Sequence, residues 1–353
     1  MIHLAKFFLW LLSLMPAAMP YWLSRKLAGL WMRLSPVKRH TAERNIERCY
    51  PDMPVEQRRE LVRESFVHYL CSVLETGHNW YWPVEKLQAR CEGITNEALL
   101  LDALDCGKGL VVLAPHFGAW EYLGMYLQRF PDIAILYKPP ANPALEAALL
   151  DRRRRGGAKL IGATPSGLRQ LYAHVKAGYG VGVLPDQQPS RGQGRFAPFF
   201  GHAALTGVLA PRLIHRTNAK VLACVCERLQ GGRYRVHVLP VDDAIHSDDL
   251  DVATAEVNRA VEQCIAIDPA QYLWSYRRFK KRPEGAPPFY DFKYPCGSGP
   301  CPRFFLILRV SSALRRAVRR APVPNSLEPS LGARRQRRRE RWYGLPAGQE
   351  VPE

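Results

Sequence analysis

The sequence lacks the signatures of several protein classes. Its nine cysteines are scattered and include no Cys-x-x-Cys pair, so we expect neither a zinc module nor a disulfide framework. Such cysteines fit a reducing compartment. Only one segment is apolar enough to enter a bilayer, and the mean hydropathy of −0.22 excludes a polytopic membrane protein. There is no helix-turn-helix, zinc-finger or RNA-recognition signature, so no nucleic-acid partner is expected.

Acidic residues are few compared with basic ones. The 353 residues contain 32 Asp and Glu against 50 Lys and Arg, which gives a net charge of +18. This excess predicts an anionic partner, such as an anionic membrane surface or a phosphorylated substrate. Disorder throughout the chain is excluded, because 47% of the residues are hydrophobic and 10% are aromatic.

The C-terminal tail carries much of the positive charge. Residues 303–353 contain twelve arginines and four glutamates, with Pro and Gly close to a basic cluster at 334–339. This composition is typical of a solvated, partly disordered segment. A segment that adheres to a membrane surface is the alternative.

The one long apolar segment lies near the N-terminus. Residues 7–23 carry no charge, which is the short end of a bilayer span, although Pro16 and Pro20 would kink it. A cleavable signal peptide is the alternative, since Lys6 precedes an apolar stretch with small residues. Because no polar break follows, we favour a retained membrane anchor or interfacial helix. More basic residues follow it than precede it, which predicts that the body faces the cytoplasm.

Helical and strand patterns alternate along the body. We predict helices at 55–80, 142–155, 166–177 and 251–267, and strands at 109–115, 133–137, 180–184, 219–226 and 233–239. This alternation predicts an α/β fold, with helices on both faces of a sheet.

His116 and Glu121 are the most informative residues for function. His116 follows a buried strand, where open α/β sheets bind ligands, and Glu121 is five residues further on. On one continuous helix their side chains would point about 140° apart. If a helix instead begins near Phe117 or Gly118, the carboxylate can reach back to one imidazole nitrogen and leave the other as a base. A histidine that only caps the helix, with a favourable acidic residue in the first turn, is the alternative.

Five short motifs, each present once, follow one another within roughly residues 1–292. They are Ala114–Glu121, the arginine run 152–155 before 157–161, Leu184–Gln187, Pro198–Gly201 running to Thr206, and Tyr272–Pro283. In this order the chain resembles the His-x4-Asp/Glu acyltransferases, and in particular the bacterial late acyltransferases of lipid A biosynthesis, of the lauroyl and myristoyl type. Tyr276 stands where those relatives often have His, and the tail from about Cys296 has no counterpart.

The resemblance implies a fold and a domain division. The fold would be a mixed central sheet flanked by helices, like that of the glycerolipid acyltransferases, with an N-terminal membrane helix. Residues 1–35 would form the anchor, 36–295 the acyltransferase domain and 296–353 the basic tail. The protein would lie at the inner membrane with its catalytic domain on the cytoplasmic face.

The resemblance also implies a reaction. A fatty acyl chain would pass from acyl carrier protein to a hydroxyl of a Kdo-bearing lipid A precursor. His116 would take the proton of the hydroxyl as a general base, and Glu121 would orient and charge the imidazole. The tetrahedral oxyanion would be stabilised by backbone N–H groups of Phe117 and Gly118, or by an arginine at 153 or 155. Neither a metal ion nor a bound cofactor is expected.

The remaining candidate residues are basic or lie at strand ends. Arg153 and Arg155 would bind lipid A phosphates, although an arginine run at a helix end is often only a solvated cluster. Asp186 and Gln187 would form either a turn or a wall of the site. Arg277 and Arg278 belong to a basic stretch suited to headgroups or to the acidic carrier protein, or simply exposed to solvent.

Two other functions compete with this one. The first is the same chemistry on a lysophospholipid or another glycolipid. The second is a non-catalytic protein that binds the membrane surface or the carrier protein through its basic face. An intact His116 and Glu121 pair favours an enzyme, because function is argued from the site rather than from the fold.

Overall fold

The computed structural model describes residues 2–130, 133–137, 139, 150, 159–190 and 192–290. Most of the helix expected at 142–155, including Arg153 and Arg155, lies outside the described residues. The tail predicted at 296–353 also lies outside them.

The chain begins with four long consecutive helices. They are α1 (Ile2–Ser13), α2 (Met19–Leu34), α3 (Pro36–Cys49) and α4 (Val55–Tyr81). Helix α4 matches the amphipathic helix expected at 55–80, and it buries Val62, Phe66 and Leu70 at helical spacing. Helices α1, α2 and α3 all pack against α4. The N-terminal segment is therefore attached to the body through this long helix.

The apolar run over 7–23 does not form the single membrane helix that the resemblance implied. The apolar run is divided between α1, which ends at Ser13, and α2, which begins at Met19. Pro16 lies in the turn between them, and Pro20 lies in the first turn of α2, where its missing N–H group is tolerated. Within the described ranges, no helix combines the length and the hydropathy that crossing a membrane requires.

A seven-stranded mixed sheet forms the centre of the molecule. Its strands are β1 (Cys91–Thr95), β2 (Leu110–Leu113), β3 (Ile133–Tyr137), β4 (Lys159–Gly162), β5 (Gly180–Val183), β8 (Lys220–Arg228) and β9 (Tyr234–Pro240). Strands β6 (Gly194–Phe199) and β7 (His202–Gly207) form a separate antiparallel hairpin. The order is β1-β9-β8-β2-β5-β3-β4, and neighbours are parallel except β8 and β9. The expected mixed α/β architecture is confirmed.

Helices cover both faces of this sheet. The remaining helices are α5 (Val84–Gln88), α6 (Glu97–Asp105), α7 (Trp120–Tyr126), α8 (Pro165–Lys176), α9 (Leu209–Thr217) and α10 (Leu250–Ile267). Successive residues of β2 point to opposite faces, so Val111 packs in one hydrophobic core and Val112 in another. The first core contains residues of α3, α4, α8, α9 and α10, and the second contains residues of α5, α6 and α7.

Candidate active site

His116 and Asp186 meet at the carboxyl edge of the sheet. Strands β2 and β5 are parallel, and Leu113 is paired with Val183 at their ends. His116 lies three residues after Leu113, and Asp186 lies three residues after Val183. The register of the two strands therefore places the two side chains next to each other. This edge is where open α/β sheets form their ligand sites.

The Asp186 carboxylate holds His116 by two hydrogen bonds, one to the imidazole and one to the backbone. Nδ1 of His116 lies 2.8 Å from Oδ1 of Asp186, and the backbone N–H of His116 donates to Oδ2 at 3.0 Å. Asp186 is only 3% exposed. Burial opposes its ionisation, but the charge of His116 and these hydrogen bonds outweigh burial and lower the pKa of Asp186. An ionised carboxylate only accepts hydrogen bonds, so Nδ1 carries the proton and Nε2 is left with its lone pair.

The pKa of His116 is raised by its surroundings. Burial lowers this pKa, but the charge of Asp186 and its hydrogen bond outweigh burial, and the charge of Glu121 adds to them. The imidazole is still accessible, with 15% of its side chain exposed. His116 is therefore a base of raised strength that a substrate can reach.

The carboxylate that the structure places at Nδ1 of His116 is that of Asp186, whereas the sequence favoured Glu121 for this position. Glu121 does lie in the first turn of α7, although this helix begins at Trp120 rather than near Phe117 or Gly118. Its effect on His116 is a charge effect weaker than that of Asp186. Two observations explain this difference. Helix α7 begins only at Trp120, and the carboxylate of Asp186, which follows β5, lies at hydrogen-bond distance from Nδ1 of His116.

Gln187 occupies the other side of the imidazole. Its Nε2 lies 3.1 Å from Nε2 of His116, and the Gln187 side chain is exposed. A ligand hydroxyl that bonds to Nε2 takes the place of this amide. Of the two alternatives given for Asp186 and Gln187, a turn or a wall of the site, these contacts favour the wall.

The backbone around Phe117 and Gly118 is fully engaged. The N–H of Phe117 donates to Pro115 O at 2.7 Å, and the N–H of Gly118 donates to Gln271 O at 2.9 Å. The suggestion that these two N–H groups stabilise an oxyanion is therefore wrong for this conformation. They fix the segment that carries His116 instead, with the N–H of Ala119 donating to Cys226 O at 2.9 Å.

Gly118 is required by its position. Its φ is +53°, and a Cβ atom there would lie 2.1 Å from Cys226 O. A side chain would therefore combine an unfavourable backbone with a backbone collision. Only glycine allows the chain to pass this close to β8.

A buried ion pair holds the carbonyl of Gly118. Arg228 at the end of β8 binds both carboxylate oxygens of Glu75 on α4, with Nη2 at 2.9 Å from Oε2. The same Nη2 donates to Gly118 O at 3.1 Å. Burial opposes ionisation of Glu75, but the charge and hydrogen bonds of Arg228 lower its pKa, so the pair stays ionised. Sequence reasoning missed both residues, because their separation of 153 positions leaves no local pattern.

Arg278 has a structural role, which corrects its assignment as a substrate-binding residue. It is 2% exposed, and its guanidinium group donates to Leu205 O, to Thr206 Oγ1 and to Asn258 Oδ1. These contacts attach the segment after Tyr276 to hairpin β6–β7 and α10. Neighbouring Arg277 is half-buried, with its guanidinium group 5.7 Å from the centre of the Tyr290 ring.

Tyr276 supports the loop that carries Gln187. Its hydroxyl accepts a hydrogen bond of 2.8 Å from the backbone N–H of Gln188. The Gln188 side chain in turn donates to Arg278 O at 2.8 Å. A tyrosine at this position therefore has a clear structural function.

These contacts define what the site can do chemically. An accessible imidazole nitrogen with a lone pair lies opposite a buried, ionised carboxylate, which is the arrangement of a general base with its orienting group. When Nε2 takes a proton, the imidazolium is stabilised by Asp186. The geometry suits activation of a hydroxyl nucleophile.

Comparisons with known proteins agree on one family. A family model described as bacterial lipid A biosynthesis acyltransferase matches residues 1–281. The lipid A biosynthesis lauroyltransferase of Escherichia coli K12 is 29% identical over 286 residues, which are 80% of this chain and 92% of that protein. The palmitoleoyltransferase of the same organism is 27% identical with the same coverage. Its myristoyltransferase is 25% identical over 257 residues, which are 72% of this chain and 78% of that protein.

Proposed function

This chain belongs to the bacterial lipid A biosynthesis acyltransferase family, and we propose that it transfers a fatty acyl chain from acyl carrier protein to a hydroxyl of a Kdo-bearing lipid A precursor. It is an acyltransferase enzyme, as its family relatives are. The observation that carries the proposed mechanism is the Asp186–His116 pair with its accessible Nε2 atom.

The transfer starts when the acceptor hydroxyl replaces Gln187 at Nε2 of His116. Nε2 takes the hydroxyl proton as the oxygen attacks the thioester carbonyl, and a C–O bond forms. The tetrahedral intermediate then collapses, the C–S bond breaks, and the imidazolium returns the proton to the departing sulfur. Asp186 stabilises the imidazolium between these two steps.

The oxyanion needs donors other than the N–H groups of Phe117 and Gly118, because both are used within the fold. We propose that Arg153 or Arg155 supplies them, since a guanidinium group suits a developing negative charge. Both arginines also remain the proposed ligands of lipid A phosphates. A neutral variant of each should lower the rate of transfer, and an unchanged rate for both would reject this assignment.

The donor is proposed to bind at a basic segment beside the site. Lys280 and Lys281 are exposed, and Lys281 Nζ donates to Pro189 O, two residues after Gln187. Together with Arg277 they offer positive charge to an acidic carrier protein close to His116. Lys280→Gln should raise KM for the carrier-bound donor while kcat stays close to wild type, and Lys176→Gln on α8 is the matched control.

The membrane contact is proposed to be the outer surface of α1 and α2. Large apolar side chains are exposed there, including Phe7 at 57%, Trp22 at 59% and Leu34 at 68%. The basic residues Lys26 and Arg33 are exposed on the same helices. Such a surface suits an interfacial position on an anionic leaflet, here the cytoplasmic face of the inner membrane.

One assay separates the candidate acceptors. Purified enzyme is given labelled acyl carrier protein together with either a Kdo-bearing lipid A precursor or a lysophospholipid. Transfer to the lipid A precursor supports the proposal, whereas transfer only to the lysophospholipid assigns the same chemistry to the rival acceptor. A non-catalytic binding protein would be favoured if neither acceptor receives the acyl chain. In that case, a variant in which His116 and Glu121 are both replaced should complement a deletion strain as well as the wild-type protein does.

A further inference from the structure

A cleft lies between the α1–α2 turn and α5. It has a volume of about 620 Å³ and is lined by residues 13–17 together with Trp82, Lys86 and Arg90. None of these residues is a hydrogen-bond or ring partner of His116.

Two cationic side chains meet in this cleft around one aromatic ring. The Lys86 ammonium lies 3.7 Å from the centre of the Trp82 ring, and the Arg90 guanidinium lies 5.4 Å from it. Trp82 is itself fixed by donating its indole N–H to Ser13 O at 2.8 Å. The two cations are thus held near each other on a rigid support, with no acidic residue in the lining.

Arg90 is buried without a carboxylate partner among the described residues. It is 8% exposed, and its guanidinium group donates to Gly232 O and approaches Nδ1 of His78 at 3.5 Å. Its Nη2 atom has no hydrogen-bond partner within the described part of the chain. The guanidinium group also lies 4.5 Å from the centre of the Tyr234 ring, but a buried cation with no carboxylate partner is still favoured by an anion close to it.

The buried charges around Arg90 do not balance. Arg90 and Arg228 both act on Glu75, but both oxygens of that carboxylate are bonded to Arg228. His78 adds no compensating negative charge, and burial lowers its pKa to about 4, so it is neutral. Among the described residues, the charge of Arg90 is therefore not matched by a hydrogen-bonded carboxylate, and Arg90 lines the cleft.

We propose that this cleft binds a phosphate group, with Arg90 and Lys86 as its ligands. A phosphate oxygen accepts from guanidinium and ammonium groups alike, and it supplies the negative charge that the buried cluster lacks. Leu14, which is 60% exposed, and Met15 line the same cleft beside the apolar surface of α1 and α2. This neighbourhood favours a phosphate carried by a membrane lipid over free phosphate.

The first arm of the test uses inorganic phosphate and the full-length protein in detergent. Phosphate should raise the melting temperature relative to chloride at equal ionic strength. Lys86→Gln should weaken phosphate binding about tenfold, because one charged hydrogen bond is lost. Lys86 is exposed, so this variant keeps the buried cluster intact, and Lys176→Gln on α8 serves as the control. Equal phosphate effects in both variants, which would mean an adventitious ion only, overturn the proposal.

The second arm distinguishes the source of the phosphate. Wild type and the two variants are floated with phosphatidylglycerol vesicles in the presence of excess inorganic phosphate. Competition by free phosphate in wild type, but not in Lys86→Gln, supports a lipid phosphate in this cleft. Stabilisation by inorganic phosphate without such competition supports a site for free phosphate. If neither arm distinguishes Lys86→Gln from Lys176→Gln, the cleft binds no phosphate.

Discussion

Nδ1 of His116 lies 2.8 Å from Oδ1 of Asp186, although 70 positions separate the two residues along the chain. The parallel pairing of β2 with β5 produces this contact, because Leu113 and Val183 are in register at the strand ends. The carboxylate that fixes the base therefore comes from a neighbouring strand rather than from the helix that follows His116. The account of the site depends on this pair.

The first prediction concerns the pH profile. His116 acts as a base only when it is neutral, so activity should fall as the pH drops through its pKa, which lies above the ordinary 6.5. Asp186→Asn removes the charge that outweighs burial. The pKa of His116 should then fall, and the acid limb of kcat/KM should move to lower pH, with a maximal rate lower by about a hundredfold or more.

Glu121→Gln is the matched comparison for this prediction. Its charge makes the smaller contribution to the pKa of His116, so the acid limb should move in the same direction by less. A pH–rate series over the three proteins measures both shifts. A larger shift for Glu121→Gln than for Asp186→Asn would contradict the assignment of Asp186 as the orienting group.

The second prediction concerns Gly118. Gly118→Ala forces a Cβ atom to within 2.1 Å of Cys226 O and should destabilise the fold by more than about 3 kcal/mol. Gly201→Ala is the control, because it has a φ of +73° but no atom within 4 Å of its added Cβ, and it should cost about 1 kcal/mol. Chemical denaturation measures both. Equal costs would show that the close approach to β8 is unimportant.

The third prediction concerns the buried ion pair. Glu75→Gln leaves the guanidinium group of Arg228 buried without its counter-ion and should cost about 3–5 kcal/mol of unfolding free energy. Glu56→Gln, on the same helix, breaks only an exposed pair with Arg59 and should cost less than about 1 kcal/mol. Denaturant titration of both variants tests the contrast. A small effect of Glu75→Gln would mean that the pair does not hold the segment of Gly118.

The fourth prediction concerns membrane binding. Trp10 on α1 is 44% exposed, and Trp10→Glu should weaken binding to anionic vesicles by about tenfold or more, because an indole ring is lost from the lipid interface. Val252→Glu on α10, which is 43% exposed, is the control and should bind like wild type. Vesicle flotation at several salt concentrations provides the measurement. Equal loss in both variants would show that α1 is not the membrane contact.

Local sequence patterns were enough to place much of the fold. The strand predicted at 133–137 agrees with β3, and the helix predicted at 55–80 agrees with α4 to within one residue. Helix α7 begins at Trp120, slightly later than the start near Phe117 or Gly118 that was considered from the sequence. These elements have a clear hydrophobic period, which needs no knowledge of the tertiary structure.

Long-range contacts explain what the sequence could not predict. Asp186 was recognised only as a residue at a strand end, because its contact with His116 depends on which strands are neighbours. Arg278 looked like one more exposed cation, yet its partners lie on β7 and α10. The short strand β1 was missed because none of its five residues is buried and its period is weak. The turn that divides the apolar N-terminus could have been predicted from Pro16.

The most direct test of the account is the rate of acyl transfer by His116→Ala. The variant is compared with wild type for labelled acyl transfer from acyl carrier protein to a Kdo-bearing lipid A precursor, after circular dichroism has shown equal folding. If the imidazole is the general base, the rate should fall by at least about a hundredfold. A folded His116→Ala variant that still transfers the acyl chain at close to the wild-type rate would contradict the mechanism.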